Sequence, residues 1–303
     1  MSAIRNVPHP FPYQGSKRQL AREIIACIPS DCRTLFEPFA GSAAVTLAAA
    51  YLGLARRFVI NDAHRPLVHL WNAIVRQPHK LAAEYRALWT AQAGCEREYF
   101  DLVRSEFNKY EHPGHFLYLL ARCVKAAVRY NAKGEFNNSP DNRRRGMHPD
   151  TMERNISRAA RLLRDKTTIT LKNYEDVLVD VKRRDLVYMD PPYQGVCNTR
   201  DHRYCRSVAF DDFVSVLEQL NQRSISFIIS YDGRTGAKTH GRHLPEELDL
   251  IRIELLVGRS TQATLLGRNH NTYESLYLSP ALIDRLGEIP PVFADADEPC
   301  LFS

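Results

Sequence analysis

Leu186-Val187-Tyr188-Met189-Asp190-Pro191-Pro192-Tyr193 is the stretch whose reading decides the fold. Its first four residues form an apolar run without alternation, the pattern of a parallel strand buried on both faces. The remaining four then lie at the strand's carboxyl end, where open α/β sheets place their chemistry. Two consecutive prolines remove two backbone donors and hold the chain extended, leaving carbonyl oxygens with no local amide to accept from, beside a carboxylate and a phenol. Such an acceptor-rich pocket with one flat aromatic wall suits a planar group carrying an amine, such as a nucleic-acid base. Taken alone, the tetrapeptide is equally compatible with a strand-ending turn.

Outward from this strand the chain alternates. Thr34-Leu35-Phe36 and Arg57-Phe58-Val59-Ile60 read as strands, followed by helices over residues 43–54 and 64–76, and a helix over 17–28 enters through the Gly15-Ser16 turn. Further strands are expected at 168–171, 225–230, 250–255 and 273–278, the last from period-two alternation of Tyr273, Ser275 and Tyr277 against Glu274, Leu276 and Leu278. Alternating strands and helices imply a parallel sheet covered on both faces. Residues 78–130 are helical without strands, 131–150 read as a loop or small hairpin rich in Asn, Gly, Pro and Arg, and 151–163 as a basic helix with Thr151 as its N-cap. A mainly helical insertion thus interrupts the α/β pattern, and the tail beyond Gly287 is expected to be weakly structured.

Length and composition narrow the function classes. A chain of 303 residues holds one large α/β domain or two modest ones. No apolar run approaches the ~20 residues that span a bilayer and no signal-peptide core opens the chain, so a cytoplasmic protein with no membrane partner is expected. Seven cysteines include no C-x-x-C pair and the histidines show no ligand spacing, so neither a disulfide framework nor a metal site is indicated. The charge is uneven. Residues 121–166 hold twelve Lys and Arg against five acids, a net of +7 in a chain whose total is +6. A localised basic block is the footprint of phosphate-backbone contact, although a charge run taken alone is more often a solvated helix face.

The loop Phe39-Ala40-Gly41 follows the first expected strand and opens a helix, and Asp62 ends the second strand. Small residues admit a ligand close to the backbone, the helix start favours polar groups, and the acid can hold ribose hydroxyls. With no second glycine to cradle a pyrophosphate, a nucleoside without one fits better than a dinucleotide. A simple strand-to-helix turn is the competing reading of Gly41.

These segments, taken in order, resemble the Dam-like adenine-N6 DNA methyltransferases of the alpha group. Pro12-Tyr13-Gln14-Gly15-Ser16-Lys17 is similar to that family's N-terminal cofactor motif, Phe36-Glu37-Pro38-Phe39-Ala40-Gly41 to its F-E-P-F-x-G loop, and Ile60-Asn61-Asp62 to its acid-bearing second strand. Arg129-Tyr130-Asn131 and Gly134-Glu135-Phe136-Asn137 resemble its target-recognition elements, and Asp190 to Tyr193 its D-P-P-Y. There are two departures. Ala43 stands where the family often has a second glycine, and Asn138-Ser139-Pro140-Asp141-Asn142 is unlike the P-x-G continuation of GATC-specific members, which leaves the target sequence open.

The resemblance implies a Rossmann-like S-adenosylmethionine-dependent methyltransferase sheet with an inserted, mainly helical DNA-recognition domain. It divides the chain into a cofactor part (1–76), a recognition insertion (77–165), a catalytic part (166–287) and a tail (288–303). It implies methyl transfer to adenine N6 in double-stranded DNA, with the target base flipped out of the helix. Asp190, Pro191, Pro192 and Tyr193 would be catalytic, the first two accepting the amine hydrogens and Tyr193 stacking on the flipped base. Tyr13, Lys17, Glu37, Phe39, Gly41, Asp62 and Asp190 would surround the cofactor, with Lys17 at the methionine carboxylate and Asp62 at the ribose. Arg129, Tyr130, Asn131, Lys133 and Asn137 would face base edges, and Arg143, Arg144 and Arg145 phosphates. Arg259-Ser260 and residues 267–271 would lie near DNA. A cognate restriction endonuclease would be a functional rather than a physical partner. Cytosine-N4 or RNA methylation on the same fold, and a non-catalytic DNA-binding relative, are the competing readings.

Overall fold

The computed structural model describes residues 3–192, 208–235, 238–259, 271–290 and Phe293. Tyr193, Cys197, Cys205, residues 260–270 and most of the tail lie outside the described residues. Eight strands form one sheet: β1 (Thr34–Glu37), β2 (Arg57–Asn61), β3 (Thr167–Thr170), β4 (Leu186–Met189), β5 (Ser226–Thr235), β6 (Lys238–His240), β7 (Ile251–Arg259) and β8 (Asn271–Leu278). Their order is β3-β2-β1-β4-β5-β8-β7, with β6 paired to β5 off this path. The first five are parallel, and β8 runs antiparallel to both β5 and β7. This is the mainly parallel, Rossmann-like sheet expected, with β8 antiparallel within it.

The apolar run of β4 is buried at all four positions because β4 is central and covered on both faces. Alternate side chains leave on opposite sides. Leu186 and Tyr188 join one core with α1 (Ala21–Ala26), α2 (Ala44–Leu52) and α3 (Arg65–Arg76). Val187 and Met189 join a second core with α8 (Tyr174–Leu178) and α9 (Phe210–Gln222). The helices between, α4 (Pro78–Ala91), α5 (Glu96–Tyr110), α6 (Pro113–Arg122) and α7 (Pro149–Leu163), contribute Tyr85, Phe100, Phe116 and Ile156 to the first of these cores. Packing is therefore continuous between residues 77–165 and the sheet, and α7 lies against α2, α3 and α4.

Several elements differ from the expected ones, each for a local reason. The helix expected over 17–28 is a 3₁₀ turn, Lys17–Gln19, followed by the shorter α1. Thr151 does not cap α7. His148 does, its Nδ1 accepting from Asp150 N, because Pro149 with its fixed φ is suited to the first helical position. The segment after α6 forms a small hairpin through bridges Tyr130 to Phe136 and Cys123 to Pro140. β5 continues to Thr235 because its polar end pairs with β8 across a bulge between Tyr231 and Gly233. In β8 the alternation does not survive: Ser275 to Leu278 are all buried, since β8 lies between β5 and β7. Helices α8, α9 and α10 (Pro280–Leu286) had not been expected, although Phe210, Phe213, Leu217 and Leu220 of α9 recur at helical spacing. Among the described residues no helix is long and apolar enough to cross a membrane.

Candidate active site

Strand order reverses between β1 and β4, since β2 and β3 continue to one side and β5 to the other. Helices on opposite faces diverge at such a point and open a crevice beyond the carboxyl ends of the two strands. A cavity of about 860 Å³ lies there, bordered by the loop after β1, by Asp62 and His64 after β2, by Tyr174 after β3 and by Asp190 to Pro192 after β4. The N-terminal segment Tyr13 to Lys17 and Val208, Ala209 and Asp212 at the start of α9 line it as well.

The β1 loop is held almost entirely by its own surroundings. Glu37 turns back so that its carboxylate accepts from Thr46 N (3.1 Å) in the first turn of α2. Burial pushes that carboxyl up to about 8, against the opposing Thr46 hydrogen bond. Gly41 donates its N–H to Asp62 Oδ2 (3.0 Å) and its carbonyl accepts from Trp71 Nε1 (2.9 Å). With φ at +50°, and Tyr13 Cε1 only 3.2 Å from where a Cβ would sit, the position favours glycine. Ala43, at φ +46°, carries its Cβ in the left-handed region, where an L-residue is disfavoured by about 1–2 kcal/mol. Asn61 is fully buried and ties three loops together: its amide donates to the Pro38 and Lys172 carbonyls and its oxygen accepts from Thr170 Oγ1 and Lys172 N.

Asp62 receives Gly41 N on one oxygen and His64 N (2.9 Å) on the other, and burial raises its pKa. Phe39 lies against Tyr174 with ring centroids 5.0 Å apart, forming an aromatic wall. Tyr174 had escaped notice in the sequence. Its signal was positional, since residues just past a third parallel strand share the edge where the first two end.

Asp190 stands across the cavity at the end of β4, and Pro191 beside it is buried. Lys17, expected at the methionine carboxylate, has its ammonium 3.0 Å from Asp190 Oδ1 and also paired with Glu274 Oε1 from β8. Burial is the largest influence on Asp190 and pushes it up to about 6, with Glu274 adding to the rise and Lys17 opposing it. Beneath it, the buried Tyr188 hydroxyl and Ser230 Oγ share a hydrogen bond of 2.8 Å.

The residues expected at DNA separate into two kinds. Asn131 holds its own turn: Oδ1 accepts from Lys133 N and Glu135 N, and Nδ2 donates to Glu135 Oε2. Tyr130 shares a 2.5 Å hydrogen bond with His64 Nε2 and packs edge-on against Phe136, so it joins the hairpin to the cavity rim. Burial lowers the pKa of His64 to about 4, which keeps that ring neutral. Arg129, Lys133 and Asn137 are exposed along the hairpin. Arg143, Arg144 and Arg145 are also exposed, Arg144 near Asp141 (3.4 Å) and Arg145 against Glu96 (2.8 Å).

A family model for the D12 class N6 adenine-specific DNA methyltransferases matches residues 13–258, most of the chain and both sides of this cavity. The chain belongs to that family. This adenine-specific DNA methyltransferase is 25% identical over 227 residues to the DNA adenine methylase of Serratia marcescens, covering 73% of this chain and 78% of that protein. It is 27% identical over 231 residues to the Retron Ec67 DNA adenine methylase of Escherichia coli, covering 72% and 75%. The type II methyltransferase M.CviBI of Paramecium bursaria Chlorella virus NC1A aligns over 200 residues at 26% identity, covering 64% and 71%. Among solved structures, an rRNA methylase from Streptococcus thermophilus aligns over 87% of this chain and 97% of its own at 10% identity, with a TM-score of 0.32. The enzyme therefore methylates adenine in DNA in a site-specific manner.

Proposed function

We propose that this methyltransferase takes S-adenosylmethionine at the Gly41 and Asp62 end of the cavity and an adenine flipped from duplex DNA at the Asp190 end. The observation that carries this reading is the placement of both ends in one cavity across the β1/β4 reversal. The residues fit such a donor. The cavity volume is in the range of nucleoside-sized ligand sites. Gly41 gives close backbone approach, the Phe39 and Tyr174 wall suits a purine, and a carboxylate has more acceptor sites than the backbone amides fill on Asp62. When bound, S-adenosylmethionine supplies an electrophilic methyl group on a sulfonium.

Adenine N6 is a poor nucleophile because its lone pair is delocalised into the ring. With the Asp190 carboxylate and the Pro191 carbonyl accepting its two N–H groups, the nitrogen becomes tetrahedral and its lone pair is freed to attack. Asp190 then lies against the positive charge that develops on N6, so its hydrogen bond strengthens as the reaction proceeds. A base inside a duplex cannot reach this depth, and flipping it costs a few kcal/mol. Tyr193, which follows directly in sequence, is proposed to offset that by stacking.

Incubation with methyl-labelled S-adenosylmethionine and double-stranded genomic DNA should place the label in N6-methyladenine. Label confined to single-stranded DNA or RNA would contradict the substrate proposed. The exposed arginines carry a separate expectation. Replacing Arg143, Arg144 and Arg145 together by Gln should weaken binding to all duplex sequences alike and flatten the log–log salt dependence by roughly 2–3 units, at ~0.9 per phosphate contact. A changed methylation site in that variant would instead show these arginines reading bases.

A further inference from the structure

Glu274 belongs to none of the motifs and reaches the active site from two strands beyond β4. A bulge in β5 lies directly beside it. Tyr231 faces Ser275 and Gly233 faces Glu274, so Asp232 is the extra residue between them. Gly233 lies so close to β8 that a Cβ would meet Tyr273 O at 2.5 Å. Glu274 therefore shares a sheet face with Leu276 and Leu278, which pack in the same core as Tyr188. On that face Lys17 is set between two carboxylates, Asp190 and Glu274, and all three side chains are at most 22% exposed. Among the described residues, one ammonium between these two carboxylates leaves the three groups with a net charge of −1.

A lysine paired with Asp190 alone would neutralise the charge that the amine of adenine needs. We propose that Glu274 is a positioning residue for methyl transfer: it holds the Lys17 ammonium and shares its charge, leaving Asp190 only partly neutralised and able to accept from adenine. The inference rests on Asp190 being that acceptor. Among the described residues, the groups that act electrostatically with Asp190 are Lys17 from the 3₁₀ turn, Glu274 from β8, the Tyr188 phenol from its own strand and Glu37 from β1. Lys17 lowers and Glu274 raises the Asp190 pKa. Removing the Glu274 charge removes that rise, so Asp190 should ionise at lower pH.

The test follows the Asp190 carboxyl by carbon-detected NMR titration of the full-length protein, assigned through Asp190→Asn, beside the pH dependence of kcat/KM on duplex DNA, which reports the free enzyme. The wild-type kcat/KM should fall as pH drops through about 6, where Asp190 protonates. In Glu274→Gln both the titration and the acid limb should move down by at least about half a pH unit, and kcat/KM above the limb should fall. In Lys17→Met the limb should move up. Glu274→Asp, which keeps the charge but withdraws it by one methylene, should shift both readouts down by less, and it decides the matter if Glu274→Gln does not fold. Wild-type titration of Asp190 in the Glu274 variants would overturn the role of Glu274. Retained methyl transfer in Asp190→Asn would instead overturn the reading of Asp190 itself.

Discussion

Asp190→Asn should lower kcat by at least about 10³-fold while leaving the protein as stable as the wild type, or more so, at pH 8. The loss follows from replacing a charged acceptor by an amide whose oxygen is a weaker acceptor and whose NH₂ faces the adenine amine with donors. The stability expectation follows from the direction of the pKa change. Asp190 is raised from 3.8 to about 6, so the folded protein holds this proton more tightly than the unfolded chain does. The stabilisation that protonation provides is fully present below the unfolded value and is lost as pH rises through about 6. A neutral asparagine never incurs that loss, and Lys17 keeps Glu274 as its partner. Thermal denaturation at pH 8 and at pH 4 measures this directly: the advantage of Asp190→Asn should be largest at pH 8 and shrink toward pH 4. A variant that lost activity and stability together would point to a structural role for Asp190.

Asp62→Ala should act at the other end of the cavity. Hydrogen bonds to a charged acceptor contribute about 1.5–3 kcal/mol, so losing those proposed for the ribose weakens methyl-donor binding by roughly 10- to 100-fold. The substitution also leaves Gly41 N and His64 N without the carboxylate that now orders them. Because the Gly41 carbonyl remains fixed by Trp71, the loop should keep its course. The expected signature is a raised KM for the methyl donor with a smaller change in kcat. A kcat loss matching that of Asp190→Asn, with KM unchanged, would contradict it.

The parts of the site legible in the sequence are those carried by short, largely buried parallel strands. The runs at β1, β2 and β4 are apolar because both faces are covered, and the residues just past them sit at the crevice by topology alone. Gly41, Asp62 and Asp190 come to line one cavity that way. Glu274 alternates in β8 with Leu276 and Leu278, so its sheet face is legible, but its pairing with Lys17 depends on the strand order β4-β5-β8, which no local pattern shows. The same limit applies to Lys17, whose side-chain partners come from strands 173 and 257 positions away in the chain. Asn131 shows the converse case. Its residue type suits an adenine edge, yet the hairpin around it leaves its amide oxygen accepting from two backbone amides of its own turn. Composition located the basic segment, but which of its arginines already have acidic neighbours, as Arg145 has Glu96, depends on tertiary packing.

Calorimetric titration of S-adenosylmethionine into the wild type, Asp62→Ala and Asp190→Asn tests most directly whether one cavity holds donor and adenine at opposite ends. Asp190→Asn should bind the donor within a few-fold of the wild type although it cannot transfer the methyl group, while Asp62→Ala should bind at least about tenfold more weakly. Wild-type affinity in Asp62→Ala, or a loss in Asp190→Asn as large as the one expected for Asp62→Ala, would contradict that division of the site.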